Sequence, residues 1–182
     1  KDLHARLEPD LTVVAGDIIE GAVASVYEPE ENDSPFIEHD LRVAARELNT
    51  LGGGILLDGN HDVRLHKRLG LSQDPISTRG LKGLTFAEQM YAQGLSREWK
   101  WVFENNTNHG LYLGSGEART LIRHGDHQFR MGAKHVAAAM LDRSPHCNHV
   151  FGHFHRTQLF YKTSLGRTHW ALSLGTFQKN RA

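Results

Sequence analysis

The chain has 182 residues, a length that suggests one domain able to bury roughly two-thirds of its unfolded surface. Its 21 basic and 21 acidic side chains cancel, so no overall charge favours binding to nucleic acid or to an anionic membrane. The single cysteine, Cys147, excludes an internal disulfide. Because the chain has no signal-like opening and no long apolar run, we expect a cytoplasmic protein that does not insert into a membrane.

The first half of the chain predicts a strand, a helix and a second strand. Leu11–Ala15 is a short apolar run without alternation, which is typical of a strand buried on both faces. Asp33-Ser34-Pro35 offers a cap and a first-turn proline for a helix over residues 36–51, and Gly52-Gly53-Gly54 ends that helix. Ile55–Leu57 is a second buried run. This order predicts a parallel crossover unit.

The second half predicts further strands around one helix. Residues 65–98 are polar and rich in turn formers, and we expect them to cap or border the site of a single domain over residues 1–182. From Trp99 the residues alternate between apolar and polar, which indicates a half-buried strand. The remaining elements are a hairpin over 110–122, a helix over 133–141, and strands near 149–151, 159–161 and 170–174.

Side chains that can bind metal follow four of these predicted strands. The chain carries 13 histidines without any histidine run, so a purification tag does not explain them. In open α/β sheets, the loops beyond the carboxyl ends of the strands converge on one crevice. Carboxylate, amide oxygen and imidazole suit borderline divalent ions such as manganese, iron, zinc or nickel. The candidates are Asp17, Asn60 with His61, His124, and His153 with His155.

Each of these motifs alone has a simpler explanation. A Gly-Asp pair after a strand is usually only a turn, and an isolated histidine is more often incidental than a metal ligand. His153 and His155 are two residues apart, so in an extended segment both rings would point the same way. The occurrence of all four motifs in order, each at a strand end, favours a metal site.

The set Gly16-Asp17, Gly59-Asn60-His61-Asp62, His124-Gly125-Asp126 and Gly152-His153-Phe154-His155 resembles the signature of the calcineurin-like metallophosphoesterases, most closely bacterial and phage-encoded members. The resemblance spans residues 11–176. It implies an α/β fold of two packed mixed β-sheets flanked by helices. It also implies two divalent metal ions, with manganese favoured. The implied ligands are Asp17 bridging both ions, Asn60, His124 and His153 on one ion, and His155 on the other.

The resemblance implies hydrolysis of a phosphate ester, with His61 as a general acid or transition-state stabiliser that Asp62 orients. Two ions roughly 3.5–4 Å apart can share a hydroxide and stabilise the charge that develops at phosphorus. A phosphodiesterase or nuclease is favoured over a phosphomonoesterase because basic residues lie near the ligand loops and could bind nucleic acid. Solvated surface charge is an equally simple explanation. These residues are Arg64, His66, Lys67, Arg68, Arg123, Arg130, Lys134 and Arg156.

One family motif has no clear counterpart. The family opens with a strand that ends in Asp-X-His and supplies two ligands to the ion that His155 would bind. Asp2-Leu3-His4 has the required letters, but Leu3 and Leu7 have helical spacing and Pro9 follows. We therefore expect residues 1–8 to be the end of a crossover helix, with the first strand missing. A catalytically impaired metal-binding scaffold is thus an alternative. The sequence does not indicate whether the chain has protein partners.

Overall fold

The computed structural model describes residues 2–19, 36–63, 85–102, 110–125, 135–164 and 166–175. These residues form two compact units, Lys1–Val102 and Phe103–Ala182. Each unit contains its own β-sheet and its own apolar core. The division falls directly after the strand that begins at Trp99.

The first unit contains a three-stranded parallel sheet. Its strands are β1 (Val13–Ala15), β2 (Gly54–Leu57) and β3 (Trp99–Val102), in the order β1-β2-β3. Its helices are α1 (Asp2–Leu7), α2 (Ile37–Asn49) and α3 (Phe86–Ala92), and residues 60–63 begin a further helical turn. Because β1 and β2 are parallel and α2 lies between them in the chain, the predicted crossover unit is confirmed.

Helix α2 forms where the apolar spacing predicts it. Ile37, Leu41, Ala45 and Leu48 are buried, so one face of the helix enters the core at intervals of three or four residues. Gly52, with φ of 86°, follows the helix in the left-handed conformation that commonly ends helices. The predicted cap at residues 33–35 lies outside the described residues.

Helix α3 belongs to the core of the first unit. Phe86 and Met90 are buried in the same apolar cluster as Trp99. Thr85 and Glu88 form a reciprocal capping box, in which each side chain accepts a hydrogen bond from the other residue's backbone amide. This part of residues 65–98 therefore builds the unit, whereas residues 64–84 lie outside the described ranges.

The second unit contains a five-stranded mixed sheet. Its strands are β4 (Leu111–Leu113), β5 (Thr120–Arg123), β6 (Asn148–Phe151), β7 (Gln158–Ser164) and β8 (Arg167–Ser173). The order is β4-β5-β6-β8-β7; β5, β6 and β8 are parallel, and the edge strands are antiparallel to their neighbours. The predicted hairpin is confirmed, with a 3-10 turn at Gly116–Ala118 between its strands.

Helix α4 (Val136–Arg143) packs against β6, β7 and β8. Val136, Ala137, Met140 and Leu141 meet Phe151 and Ala171 in the core of this unit. The prediction of an α/β protein with two sheets flanked by helices is confirmed. No helix in the described part of the chain is long and apolar enough to cross a membrane.

Candidate functional site

In the first unit, two loops that carry predicted ligands leave the same edge of the sheet. Ala15, the last residue of β1, pairs with Leu57, the last residue of β2. Since the two strands are parallel, the segments that follow them start side by side. Gly16-Asp17 therefore lies next to Gly59-Asn60-His61-Asp62, although more than forty positions separate them in the chain.

Asp17 is in direct contact with the second loop. The backbone N–H of His61 donates a hydrogen bond to Oδ1 of Asp17, with 3.0 Å between the nitrogen and the oxygen. A methyl group on Gly59 would overlap the backbone nitrogen and Oδ1 of Asp17, so only glycine fits at that position. The close approach of Gly59 explains the glycine of the sequence motif and places the Asp17 carboxylate at the start of the 60–63 turn.

Asp62 is fully buried beneath these loops. Its carboxylate accepts hydrogen bonds from the backbone amides of Gly59, at 2.8 Å, Ile18, at 3.0 Å, and Ile19, at 3.3 Å. Burial raises the pKa of Asp62 to about 7, an effect that the Gly59 bond opposes and the neighbouring Asp17 charge increases. These hydrogen bonds connect Asp62 to the backbones of the two loops and do not test its predicted role, which is to orient the His61 ring. That role stays a prediction.

In the second unit, the histidines after β5 and β6 lie together. Arg123 and Phe151 pair at the ends of these parallel strands, and the Gly152 amide donates to the carbonyl of His124 at 2.9 Å. As a result, Nε2 of His124 and Nδ1 of His153 are 3.3 Å apart. Two ligands at ~2.1 Å from a tetrahedral metal ion are separated by roughly 3.4 Å, so this spacing suits a shared ion.

The surroundings of these two rings are partly apolar. His124 is 1% exposed, and His153 is half-buried with its ring edge-on to the rings of both His124 and Phe154. His155 is exposed, in contrast. The structure thus brings His124 and His153 together and leaves the third predicted histidine of this unit toward solvent.

Strained backbone coincides with the predicted ligands. Among the described residues, four non-glycine residues have positive φ: Glu8 at 43°, Asp17 at 51°, His153 at 66° and His155 at 53°. Left-handed backbone costs a non-glycine residue roughly 1–2 kcal/mol. Such strain concentrates at functional sites, where a side chain is needed in spite of the cost. Three of the four strained residues are predicted metal ligands.

The structure places Arg123, of the predicted basic rim, and the N-terminal residues Asp2-Leu3-His4. Arg123 is not part of a basic rim, because it is only 4% exposed and its guanidinium lies 3.4 Å from Nδ1 of His149. Asp2-Leu3-His4 lies within helix α1, and the His4 ring is 2.9 Å from the Thr12 hydroxyl, so the predicted helix is confirmed. The remaining basic residues near the loops, except the exposed Arg156, lie outside the described residues, as does Asp126.

The sequence reasoning missed the polar cluster around Arg123. His149 is buried, its Nε2 lies 2.8 Å from the Ser144 carbonyl, and Cys147 is adjacent. Burial lowers the pKa of His149 and raises the pKa of Cys147. A histidine inside one predicted strand and an arginine directly after another are the signal that could have indicated buried polar packing. A buried thiol with a raised pKa is a poor nucleophile, so this cluster is structural.

Comparison with known proteins yields distant structural likenesses. No family model matches the sequence, and no curated protein matches it. Among solved structures, the chain is similar to a single mutant of Vps29 from Entamoeba histolytica, with a TM-score of 0.36 and 18% sequence identity. The match covers 90% of this chain and 72% of that chain. A likeness this distant assigns no function.

Proposed function

We propose that this chain is a metal-dependent hydrolase of phosphate esters. One observation carries the proposal: in each unit, the predicted donors lie together at the carboxyl ends of adjacent parallel strands. Asp17 and Asn60 follow β1 and β2, and His124 and His153 follow β5 and β6. Strand ends of this kind are where α/β proteins place ligand sites.

The donor types fit divalent metal ions. In this proposal, Asp17, Asn60, His124 and His153 hold one ion, and Asp17 and His155 contribute to a second. The set contains one carboxylate and otherwise neutral donors, which leaves most of the metal charge available to attract a phosphate. Imidazole, amide and carboxylate together suit manganese, iron, zinc or nickel, and we favour manganese. When bound, the ions would lower the pKa of a water molecule and stabilise charge at phosphorus.

His61 is proposed to donate a proton to the oxygen of the leaving group. Its backbone amide donates a hydrogen bond to Asp17, and its neighbour in the chain is Asn60, so His61 lies beside two of the proposed ligands. A general acid must be held within hydrogen-bonding reach of the atom that it protonates. The hydrogen bond to Asp17 uses the backbone of His61 and not its imidazole.

We favour a phosphodiester substrate, specifically a polynucleotide, over a phosphomonoester. The exposed Arg156, one residue after His155, supports a basic surface, although the buried Arg123 adds nothing to it. If several phosphates bind basic side chains, substrate affinity should fall steeply as salt concentration rises. A small monoester would show a weaker dependence. KM for DNA and RNA substrates, measured against salt, distinguishes the two classes, and a salt-insensitive KM would remove the preference for a nuclease.

A catalytically impaired metal-binding scaffold is the second candidate. It is favoured by the placement of His4 in helix α1, beside Thr12, rather than after a strand. The second ion therefore has only Asp17 and His155 among the predicted ligands. A scaffold would bind metal but would not turn over phosphate esters.

The deciding experiment measures hydrolysis of mono- and diester aryl phosphates with manganese, zinc, nickel and iron in turn. We expect metal-dependent turnover that is abolished by a chelator and restored by manganese. His61→Ala should keep the bond from backbone to Asp17, and hence the metal affinity, while lowering turnover by about 10² or more. Metal binding without turnover in the unmodified chain would favour the scaffold. Loss of metal from His61→Ala would contradict the role given to His61.

A further inference from the structure

We infer that Asp62 is a positioning residue of the metal site, whose carboxylate ties the loop that carries Asp17 to the loop that carries Asn60. The inference rests on the proposed function. It gives Asp62 a role that differs from orienting the His61 ring. In this role Asp62 acts on metal affinity, through the backbone, and touches neither metal nor substrate.

The two carboxylate oxygens divide between the two loops. Oδ1 accepts from the amides of Ile18, at 3.0 Å, and Ile19, at 3.3 Å, in the segment after β1. Oδ2 accepts from the amide of Gly59, at 2.8 Å, in the segment after β2, and lies 3.3 Å from the Ile18 nitrogen. One side chain therefore spans the gap between segments that are remote in the chain.

These bonds flank the proposed ligands directly. Ile18 follows Asp17, and Gly59 precedes Asn60. In the described part of the chain, the hydrogen bonds that Asp62 accepts all come from backbone amides. The carboxylate thus fixes the residue next to each donor, and the contact between Gly59 and Asp17 completes the junction.

A carboxylate suits this position better than an amide would. The three amides are buried or partly buried donors, and each needs an acceptor. Asp62 offers acceptors on both oxygens, whereas asparagine offers one oxygen and one NH2 group. In either orientation of an asparagine, the NH2 group would face an N–H donor of one loop. The substitution Asp62→Asn therefore keeps the shape of the side chain but cuts the connection to one of the loops.

The test compares manganese binding by calorimetry in the full chain and three variants. Asp62→Asn should weaken manganese binding about tenfold or more, the usual effect of losing a group that orients metal ligands. Asp58→Asn removes the same charge from the same loop at a half-buried position, and should change the affinity by less than about threefold. His61→Ala should also leave it nearly unchanged. If Asp62→Asn instead binds manganese like the unmodified chain and loses turnover as His61→Ala does, Asp62 acts through His61 and the inference is overturned.

Amide hydrogen exchange by NMR, in the metal-free unmodified chain, provides a second test. The amides of Ile18, Ile19 and Gly59 should be protected before any metal is added, because the Asp62 carboxylate accepts their hydrogen bonds. Fast exchange at all three amides would overturn the inference, even if Asp62→Asn fails to fold. If the unmodified chain binds no manganese, the proposed function fails, and exchange still decides whether Asp62 joins the loops.

Discussion

At the scale of single residues, three proposed metal ligands adopt a backbone conformation that residues other than glycine rarely adopt. Asp17, His153 and His155 adopt left-handed backbone, which glycine would adopt without strain. Aspartate and histidine tolerate this conformation better than most residues, but not as well as glycine does. Evolution toward stability alone would therefore place glycine at these positions. A carboxylate and two imidazoles at these positions are what a requirement for metal donors would produce.

The first prediction is that His155→Gly stabilises the fold and weakens metal binding. His155 is exposed, so the substitution loses little packing and relieves the strain at φ of 53°. We expect a gain of about 0.5–1 kcal/mol in the free energy of unfolding, measured with urea in the presence of a chelator. Glu8→Gly is the matched control, since φ there is 43° and Glu8 is not a proposed ligand. It should raise stability without changing manganese affinity, and a loss of stability in both variants would contradict the argument from strain.

The second prediction concerns pH. Burial is the main cause of the lowered pKa of His149, and the nearby charges of Arg123 and His169 lower it further, whereas the Ser144 carbonyl opposes the shift. The unfolded chain therefore binds a proton on this ring more readily than the folded chain does. Stability from the neutral ring is fully present above the unfolded pKa of about 6.5 and is lost as pH falls below it.

Replacing this ring should reduce the effect. His149→Gln should flatten the fall in unfolding free energy between pH 7.5 and 5, even if its stability at pH 7.5 is lower. His39→Gln, at an exposed position of α2, serves as the control and should keep the slope of the unmodified chain. Asp62 has the opposite effect on stability, because burial raises its pKa to about 7 and the folded chain then gains stability as pH falls. The difference in slope between the two variants therefore measures the contribution of His149 and not that of Asp62. Equal slopes in all three proteins would show that His149 does not contribute.

At the scale of helices and strands, the sequence predicts type and order well. Leu56 and Leu57 are fully buried in a strand that was predicted from a short apolar run, and the buried face of α2 follows helical spacing. Burial on both faces of a parallel strand leaves a strong composition signal. The sequence did not predict that helix α3 contributes to the core, because Phe86 and Met90 stand among polar residues. The Thr85–Glu88 capping box was not recognised as the start of a helix. A short helix with few apolar positions is specified mainly by its tertiary contacts.

The third prediction tests the junction of the two ligand loops. Gly59→Ala should destabilise the fold by about 1–3 kcal/mol and weaken manganese binding, because the added methyl group overlaps the backbone of Asp17. Gly94→Ala is the comparison: there is open space at Gly94, but φ is 95°, so strain alone should lower stability. Urea unfolding and calorimetry together separate the effects. Equal metal affinity in Gly59→Ala and the unmodified chain would show that the contact does not position the ligands.

At the scale of the whole molecule, each compact unit carries proposed donors at the ends of its own parallel strands. The order of motifs along the chain predicted which strand ends carry them, because parallel strands deliver their following loops to one edge. Sequence could not predict that Arg123, beside the proposed ligand His124, is buried against His149. Nor could it predict that Asp62 bonds two loops, since the amides of Ile18 and Ile19 have no side-chain signature. Both facts depend on contacts between residues that are distant in the chain.

The last prediction is that this chain binds one manganese ion tightly and a second weakly. The first ion would have four protein donors, Asp17, Asn60, His124 and His153, with positions left for water or substrate, as a catalytic metal requires. The second would have Asp17 and His155. Because both ions share Asp17, the first places positive charge beside the second and weakens it further. Calorimetry should give a stoichiometry near one at low manganese concentration. His153→Ala should remove the tight binding step, and His155→Ala should remove the weak binding step. Two manganese ions bound equally tightly by the unmodified chain would contradict this division of the donors.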